Sequence, residues 1–469
     1  MDLDPAEMVN EVKEKVILHW NCRGLTELPE IIRKYGNHIQ EIYLKWNKLT
    51  TLPPWIIELF NVTNLYIYGN LIKELPVELG NMSQLTVLDL SANKLKEIPS
   101  SIGNLINIES LLFNDNYIKK LPMGKYMFRK FSKCELIIYF LIIQSALSSI
   151  YKTEMSQLHN LEVLSLSGNE FVALPEWLGS LPKLKELNAD NNYLKELPNR
   201  LTLAPKVSVI SVCSNRLKYL PLNGFLSSPC IRFDANEYLN YLSYPVLIQL
   251  AYQIHTSVTG DSVNILGYKC FKLKYDDNQS LNANIKLNIK IDASCNKNIV
   301  IELPRQILRI HNVNENKIVS LWELALRKVY RLKYAIHYWY LQQLYTQLII
   351  NETTNESITF CFRYKHILNI STSPINVKVV YKQNTKRNFD FLMSSINCAS
   401  YNLLINGPAT ICVNSHCQQP IFTEAWIIVG IIHHIYSIPT IALCCSRSCA
   451  FKFMANSSMM LNFRWYCIN

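Results

Sequence analysis

Apolar residues recur along the first half of the chain with a fixed period, and one polar residue recurs with them. The stretch "LTVLDLSANKLKEIPSSIGNL" at 85–105 places leucine or isoleucine around one asparagine, and similar phrases return at 161–181 and 184–201. The asparagine occurs in seven copies spaced by 23 residues, with one interruption: Asn47, Asn70, Asn93, Asn116, Asn169, Asn192 and Asn215. Seven copies in phase predict a repeat architecture.

The pattern L-x-x-L-x-L-x-x-N-x-L-x-x-L-P is that of the leucine-rich repeat. Each copy predicts one short strand, an asparagine whose amide bonds the turn, and a convex return that begins at a proline of fixed φ. No coil can bury its apolar face alone, so the coils must stack. We expect an α/β fold, namely a horseshoe solenoid of about 8–9 coils followed by a small irregular, partly helical C-terminal region with a cysteine-rich module.

The period also predicts the domain boundaries. Arg23 stands where the first asparagine should be, so 1–36 is interpreted as an N-terminal cap and 37–240 as the repeat domain. Asn116 and Asn169 are 53 residues apart, which indicates an insert at about 124–154. The later segments are predicted as a strand and helix connector, a poorly ordered insert, a four-cysteine module and a tail: 241–335, 336–405, 406–455 and 456–469.

The insert leaves three interpretations open. It could be a loosely helical or disordered bulge, a splice or gene-model artefact, or a membrane attachment. Its apolar core, 136–143, is too short for a transmembrane helix, which needs about 20 residues. We therefore expect no stable membrane insertion.

The net charge of +11 lies entirely in the second half, where residues 241–469 carry 22 basic and 11 acidic side chains. No compact Lys/Arg run with interleaved aromatic residues appears, so no nucleic-acid partner is expected. The N-terminus lacks the apolar segment of a signal peptide, which favours a location in the cytoplasm or also in the nucleus. In such a reducing compartment the 14 cysteines should be thiols or metal ligands.

The concave face is where solenoids of this type bind other molecules. Offsets from the asparagines place aromatic and basic residues there in the early coils: Tyr43, Lys45, Trp46, Tyr66 and Tyr68. The later coils contribute a polar, mildly acidic strip: Asp89, Asn114, Asp115 and Asp190. Exposed aromatic residues are favoured anchors in protein interfaces. The pattern indicates a protein partner, against the alternative of an ordinary solvated sheet face.

Two cysteine pairs near the C-terminus have the spacing of a structural zinc site. Four thiolates suit tetrahedral zinc, and two short loops can supply them. The predicted ligands are Cys412, Cys417, Cys445 and Cys449, with Cys444 as an alternate third ligand and His416 as a weaker substitute. The alternative is a set of buried free thiols. No nucleophile arrangement, phosphate loop or carboxylate pair indicates catalysis.

The repeats together with "SLWELALRKVY" and "CVNSHCQQPIFTEAW…CCSRSC" resemble the animal leucine-rich repeat-containing proteins of the protein 28 and protein 58 group. The repeats alone are shared with intracellular proteins of the Shoc-2 type. The resemblance implies a non-enzymatic intracellular protein. Leu321, Ala325 and Val329 also look like the helix by which substrate receptors of cullin ubiquitin ligases bind Elongin C, although that helix usually has cysteine where Ala325 stands. The alternative is that Leu321 and Ala325 pack on the last repeat.

Three hypotheses therefore follow. The first is a scaffold or adaptor that binds a protein partner, with a role in signalling. The second is a ubiquitin-ligase substrate receptor that docks through the 320–332 helix. The third is a membrane-attached adaptor that uses 136–143.

Overall fold

The computed structural model describes residues 5–122, 157–256, 286–290, 298–311, 313, 317–328, 330–331, 403–404, 407–432, 439–457 and 463–467. These residues form two compact units. The repeat unit contains residues 5–122 and 157–256, and the C-terminal unit contains the described residues from 302 onward.

The repeat unit is built on one parallel sheet of nine strands in sequential order. Neighbouring strands pair in the same register, so Leu65 lies beside Leu88 and Leu88 beside Leu111. These leucines are buried. The predicted solenoid is confirmed. The strands are β1 (Ile17–His19), β2 (Glu41–Tyr43), β3 (Asn64–Tyr66), β4 (Val87–Asp89), β5 (Ser110–Leu112), β6 (Val163–Ser165), β7 (Glu186–Asn188), β8 (Val209–Ser211) and β9 (Cys230–Arg232).

A ladder of buried asparagines runs beside the sheet. The Asn93 amide donates to the carbonyl oxygens of Ile67 and Leu90, both at 3.0 Å, and its oxygen accepts from the Ile72 N–H at 3.1 Å. Each amide thus ties two coils together. The ladder continues to Asn236, which is fully buried and makes the same bonds. Strand β9 of this last coil still pairs with β8.

The residue before each ladder asparagine has a positive φ, between 53° and 71°. This left-handed conformation costs little for glycine, asparagine or aspartate and more for bulky side chains. The series, with the equivalent residue of the first coil, comprises Cys22, Trp46, Gly69, Ala92, Asp115, Gly168, Asn191, Ser214 and Ala235.

The convex side consists of short 3₁₀ helices that begin after a proline. Proline fixes the backbone where each return starts. Their apolar residues, such as Ile102 and Leu178, point into the core. The helices are Pro54–Glu58, Val77–Asn81, Ser100–Asn104, Glu176–Ser180 and Asn199–Leu203.

The coils on either side of residues 123–156 are direct neighbours. Ser110, Leu111 and Leu112 of β5 pair with Val163, Leu164 and Ser165 of β6. The Ile118 N–H donates to the Asn169 oxygen at 3.0 Å, as Ile72 does to Asn93. The insert predicted at 124–154 therefore leaves the stack continuous, while the insert itself lies outside the described residues.

The N-terminal cap is part of the same sheet, because β1 pairs with β2. Helix α1 (Pro5–Glu14) supplies Glu11, which accepts hydrogen bonds from Trp20 Nε1 at 2.7 Å and Arg23 Nη2 at 3.1 Å. The Arg23 hydrogen bond is the main cause that lowers the pKa of Glu11 to about 2, aided by Lys15. Helix α2 (Glu30–Tyr35) completes the cap.

The far end of the repeat unit consists of β10 (Leu242–Ser243) and helix α3 (Tyr244–Thr256). Gln249 on α3 bonds both backbone groups of Phe225, at 2.7 Å and 2.6 Å. Strands β11 (Lys286–Lys290) and β12 (Asn298–Glu302) follow in the chain.

The C-terminal unit is organised around the long central strand β16 (Glu424–Ile432). This strand pairs in parallel with β13 (Arg309–His311), and antiparallel with β17 (Pro439–Cys444) and β18 (Phe463–Cys467). A small hairpin joins β14 (Thr410–Ile411) and β15 (Pro420–Ile421). Helix α4 (321–328) and helix α5 (Arg447–Ser457) pack here. The predicted poorly ordered insert falls almost wholly outside the described residues.

Candidate binding surfaces and metal centre

An aromatic cluster occupies the N-terminal end of the concave face. The Tyr43 ring stacks between His19 at 4.6 Å and Tyr66 at 4.5 Å. The ammonium group of Lys45 lies 4.8 Å from the centre of the Tyr66 ring. We use "aromatic cluster" for six residues: His19, Tyr43, Lys45, Trp46, Tyr66 and Tyr68. Five of them were predicted from the sequence, and the structure brings them together.

His19 was missed by the sequence reasoning, although a signal existed. Ile17–His19 is in register with Glu41–Tyr43, so His19 holds the place of Tyr43 in the preceding coil. The degenerate first repeat hid this equivalence, because Arg23 replaces the asparagine from which the positions were counted.

Trp46 is the most exposed member of the cluster. Its side chain is 59% exposed, and its ring makes an edge contact with Tyr68 at 4.9 Å. It also covers the backbone of Gly69, where an added Cβ would lie 2.7 Å from the indole. A tryptophan at φ 57° is an uncommon conformation for a bulky residue. Strain of this kind concentrates at functional positions.

Tyr43 also has a carboxylate partner. Its hydroxyl donates to Glu41 Oε2 at 2.8 Å. That hydrogen bond, together with burial, raises the pKa of Tyr43 to about 12. The phenol therefore remains neutral, and its ring edge is fixed within the stack.

The later coils carry a row of polar side chains that bond to one another across coils. Asn114 accepts from the Ser165 hydroxyl at 2.6 Å and the Ser167 N–H at 3.0 Å. Asp190 accepts from the Ser211 hydroxyl at 2.8 Å. Much of the hydrogen-bonding capacity of this predicted strip is thus used within the solenoid.

Asp89 and Asp115 differ in exposure. Asp89 is only 8% exposed and accepts from the Ser91 N–H at 3.0 Å, so it stabilises its own turn. The sequence placed it on the open face because its offset matches Tyr43 and Tyr66. Asp115 is exposed, as predicted.

Four cysteine sulfurs converge in the C-terminal unit. The Sγ atoms of Cys412, Cys417, Cys445 and Cys449 all lie within 4.8 Å of one another. Cys417 and Cys445 are 3.3 Å apart, and Cys445 and Cys449 are 3.7 Å apart. We call these four residues the four-cysteine centre. They are the four ligands that the sequence predicted.

Two short loops position the sulfurs. The first closes the β14–β15 hairpin, where the Cys412 N–H donates to Gln419 O at 2.8 Å and the Cys417 N–H to Asn414 O at 2.9 Å. The second joins β17 to α5. There the Ser446 hydroxyl accepts from the Cys449 N–H at 3.2 Å and caps the helix.

The distances between the sulfurs are compatible with a metal site. Zinc–sulfur bonds of about 2.3 Å place ligand sulfurs about 3.8 Å apart. The Cys445 N–H donates to the Cys412 sulfur at 3.4 Å, the kind of bond that orients a metal-binding thiolate. The hydrogen bond with Cys412 raises the pKa of the Cys417 thiol above its usual value.

The alternate ligands do not join the cluster. Cys444 is fully buried at the end of β17, opposite Trp426, and is not one of the four whose sulfurs all lie within 4.8 Å of one another, although its thiol hydrogen-bonds with Cys412. His416 is exposed and lies 3.3 Å from the Ser415 hydroxyl. The four cysteines are compatible with a metal site.

Helix α4 packs into this unit through a buried ion pair. Arg327 Nε lies 2.8 Å from Glu323 Oε1, and the Glu323 side chain is completely buried. The Glu323 carboxylate also accepts from the Phe422 and Thr423 N–H groups, at 2.9 Å and 2.7 Å. Arg327 Nη1 donates to Cys445 O at 3.1 Å.

The opposite side of α4 is apolar and exposed. Leu321 is 83% exposed, Leu324 is 45% exposed, and Ala325 is exposed as well. Leu321 and Ala325 are therefore not part of the core of the C-terminal unit. Val329 lies outside the described residues.

A second buried carboxylate holds the start of α4. Glu424 Oε2 accepts from the Ser320 N–H at 3.1 Å and lies 3.1 Å from His311 Nε2. Burial opposes ionisation of Glu424, but the hydrogen bonds from Ser320 and His311 outweigh it and lower the pKa.

Within the described ranges, no helix combines the length and apolarity that crossing a membrane requires. The apolar stretch 136–143 lies outside those ranges.

Comparison with known proteins bears on the repeats. Residues 84–105 and 160–181 match the family described as Leucine Rich Repeat. No curated protein matches the chain. Among solved structures, a leucine-rich repeat protein of Leptospira interrogans is 24% identical, with a TM-score of 0.37 over 51% of this chain and 56% of that one.

A second similar structure is the leucine-rich repeat ectodomain of the Arabidopsis thaliana receptor kinase GASSHO1/SCHENGEN3, in complex with Casparian strip integrity factor 2. It is 22% identical, with a TM-score of 0.36 over 46% of this chain and 23% of that one. The chain thus spans little more than half of the bacterial protein and less of the plant receptor. The matched repeats and the nine-stranded sheet together make the repeat unit a leucine-rich repeat solenoid.

Proposed function

We propose that this protein is a non-catalytic interaction scaffold or adaptor that binds a protein partner on its concave face, in a cytoplasmic or nuclear signalling setting. Leucine-rich repeat solenoids generally mediate protein–protein interaction through that face. The observation that carries the proposal is Trp46, a large aromatic residue at positive φ that is 59% exposed.

Folding alone does not favour tryptophan at this position. The equivalent residues in other coils are small or polar, including Gly69, Ala92 and Asn191. A strained backbone costs on the order of 1–3 kcal/mol, and an exposed indole regains little of that cost from burial. Tryptophan is among the residues most enriched at interface hot spots. These considerations support a role in binding.

The test compares Trp46→Asn with Phe60→Asn in affinity capture from cell lysate. Asparagine tolerates positive φ and already occupies this position at Asn191, so Trp46→Asn should keep or raise thermal stability. Phe60 is 58% exposed but lies outside the aromatic cluster, which makes it the matched control. We expect the partner to be lost with Trp46→Asn and retained with Phe60→Asn. Equal capture by both would exclude the aromatic cluster as the binding site.

A second candidate function is that of a substrate receptor in a cullin ubiquitin ligase, with α4 docking on Elongin C. The exposed face formed by Leu321 and Ala325 supports it, since insertion into a groove needs apolar residues one turn apart. This function would also suit the resemblance to the protein 28 and protein 58 group. Purified Elongin C should bind the wild type and not Leu321→Asp. The control is Leu308→Asp, because Leu308 is 58% exposed in the same unit. This control variant should bind Elongin C as the wild type does. Binding by Leu321→Asp would remove this candidate.

We also propose that the four-cysteine centre holds a structural zinc ion. Its support is the convergence of four sulfurs within 4.8 Å and the absence of disulfides among the described cysteines. When bound, zinc would supply a cross-link between the two loops, since all four ligand positions come from the chain. The test is the zinc content of the reduced, purified protein, with about one equivalent expected.

A further inference from the structure

The buried ion pair of α4 bonds to the second loop of the four-cysteine centre and to the residues that directly follow the hairpin of the first loop. Glu323 binds the backbone of Phe422 and Thr423, which directly follow the hairpin carrying Cys412 and Cys417. Arg327 binds the carbonyl oxygen of Cys445 in the second loop. The two charged side chains of α4 therefore bond the residues next to the first loop and the backbone of the second loop.

The pair is stable only when both sets of bonds are made. Glu323 and Arg327 are 0% and 6% exposed, and buried charges that lose hydrogen-bond partners are strongly destabilising. The Phe422, Thr423 and Cys445 groups must therefore stay in fixed relative positions. A metal ion bound by the four cysteines would hold the two loops in that arrangement.

The orientation of α4 depends on the same pair. Because Glu323 and Arg327 face inward, Leu321 and Ala325 face solvent. Without the inward bonds, the charged side chains would favour water and the leucines would favour the interior. A helix of about eight residues has little stability of its own, so its packing must hold it in place.

We infer that metal binding at the four-cysteine centre orders α4 through Glu323 and Arg327, so that the apolar face formed by Leu321, Leu324 and Ala325 is presented to solvent only in the metal-bound protein. The inference rests on the proposed zinc site and deepens it, since the metal would control a surface as well as fasten a fold. Any partner that binds this face would then do so in a metal-dependent manner.

Hydrogen exchange of the full-length reduced protein tests this inference. The zinc-loaded wild type is compared with the same protein after removal of zinc by a chelator. Peptides covering 321–328 should exchange about tenfold faster or more after removal, because local opening becomes easier. Peptides covering β3 and β4 of the repeat unit serve as an internal reference and should not change.

A matched pair of variants separates the coupling from the metal site. In the zinc-loaded state, Arg327→Met should keep about one zinc and yet show fast exchange in 321–328. Lys328→Met removes an exposed charge from the same helix and should behave as the wild type. If Arg327→Met fails to fold, the chelator comparison on the wild type still decides the question.

The outcomes distinguish the two proposals. If the wild type binds zinc and removal of the zinc leaves hydrogen exchange in 321–328 unchanged, the coupling is overturned and the zinc site stands. No zinc in the wild type would overturn the zinc site and the coupling together. Faster exchange throughout the protein, reference peptides included, would also overturn the inference, since it would mean global unfolding.

Discussion

Leu111 and Leu164 lie side by side in adjacent strands, both fully buried, although residues 123–156 separate them in the sequence. Their pairing follows the same register as Leu88 with Leu111. The stack thus closes as if two ordinary coils met here.

Deletion of residues 125–154 should therefore leave an intact solenoid. The deletion restores the 23-residue step to Asn169 and places Met155 where Ile102 stands in the preceding coil. Removing a loop of this length changes the closure entropy by only about 1 kcal/mol. We expect the far-ultraviolet circular dichroism of the sheet to persist and the melting temperature to change by a few degrees at most. Loss of the cooperative transition would show that the insert is needed for folding.

Asn93→Ala should destabilise the repeat unit strongly. The substitution leaves the Ile72 N–H without its partner and removes one of the two amide donors to each of the carbonyl groups of Ile67 and Leu90, which keep their bonds from Asn70 and Asn116. One unsatisfied buried group costs about 1–3 kcal/mol and each of the two lost hydrogen bonds about 1 kcal/mol more, so a total loss of roughly 3 kcal/mol or more is expected. Urea unfolding measures it. Asn104→Ala, at an exposed convex position, should stay within about 0.5 kcal/mol of the wild type.

Glu11→Gln should weaken the N-terminal cap in a pH-dependent way. The folded-state pKa of Glu11 lies near 2, below its usual value of 4.5, mainly because of Arg23. A depressed pKa stabilises the folded state above pH 4.5, and this stabilisation is lost as the pH falls towards 2. At pH 7 we expect a loss of about 1–2 kcal/mol in the variant. The difference between variant and wild type should shrink as the pH falls through that window, and a constant difference would contradict the ion-pair explanation.

Cys412→Ser and Cys444→Ser should differ in zinc content. Cys412 belongs to the four-cysteine centre, whereas Cys444 is a buried strand residue outside it. We expect Cys412→Ser to lose most of the zinc and Cys444→Ser to keep about one equivalent. Elemental analysis of the purified variants measures this. Loss of zinc from Cys444→Ser would return Cys444 to the ligand set.

The sequence predicted the features that depend on spacing along the chain. The asparagine period specified the strands and their parallel order, because each ladder residue must bond the coil before it. The cysteine spacing predicted that two short loops would bring four thiols together, namely those of Cys412, Cys417, Cys445 and Cys449, because each loop carries two of them.

The sequence did not predict features that depend on a partner distant in the chain. The sequence left Leu321 open between docking on a partner and packing in the interior, and the structure has both Leu321 and Leu324 exposed. The charged residues Glu323 and Arg327 are buried instead, because backbone groups about one hundred positions later satisfy them. A periodicity argument assumes that charges seek water, and it fails where the interior supplies hydrogen bonds.

The aromatic cluster lies at one end of the concave face, and the bonded row of Asn114 and Asp190 lies towards the other. An extended ligand lying along this face therefore meets two chemically different ends. A ligand whose apolar side chain binds the tyrosine rings would, in the reversed orientation, place that side chain against the polar row and its own polar groups against the rings. The two ends of the concave face thus differ in chemistry, and a partner bound there as proposed would have one favourable orientation along the solenoid.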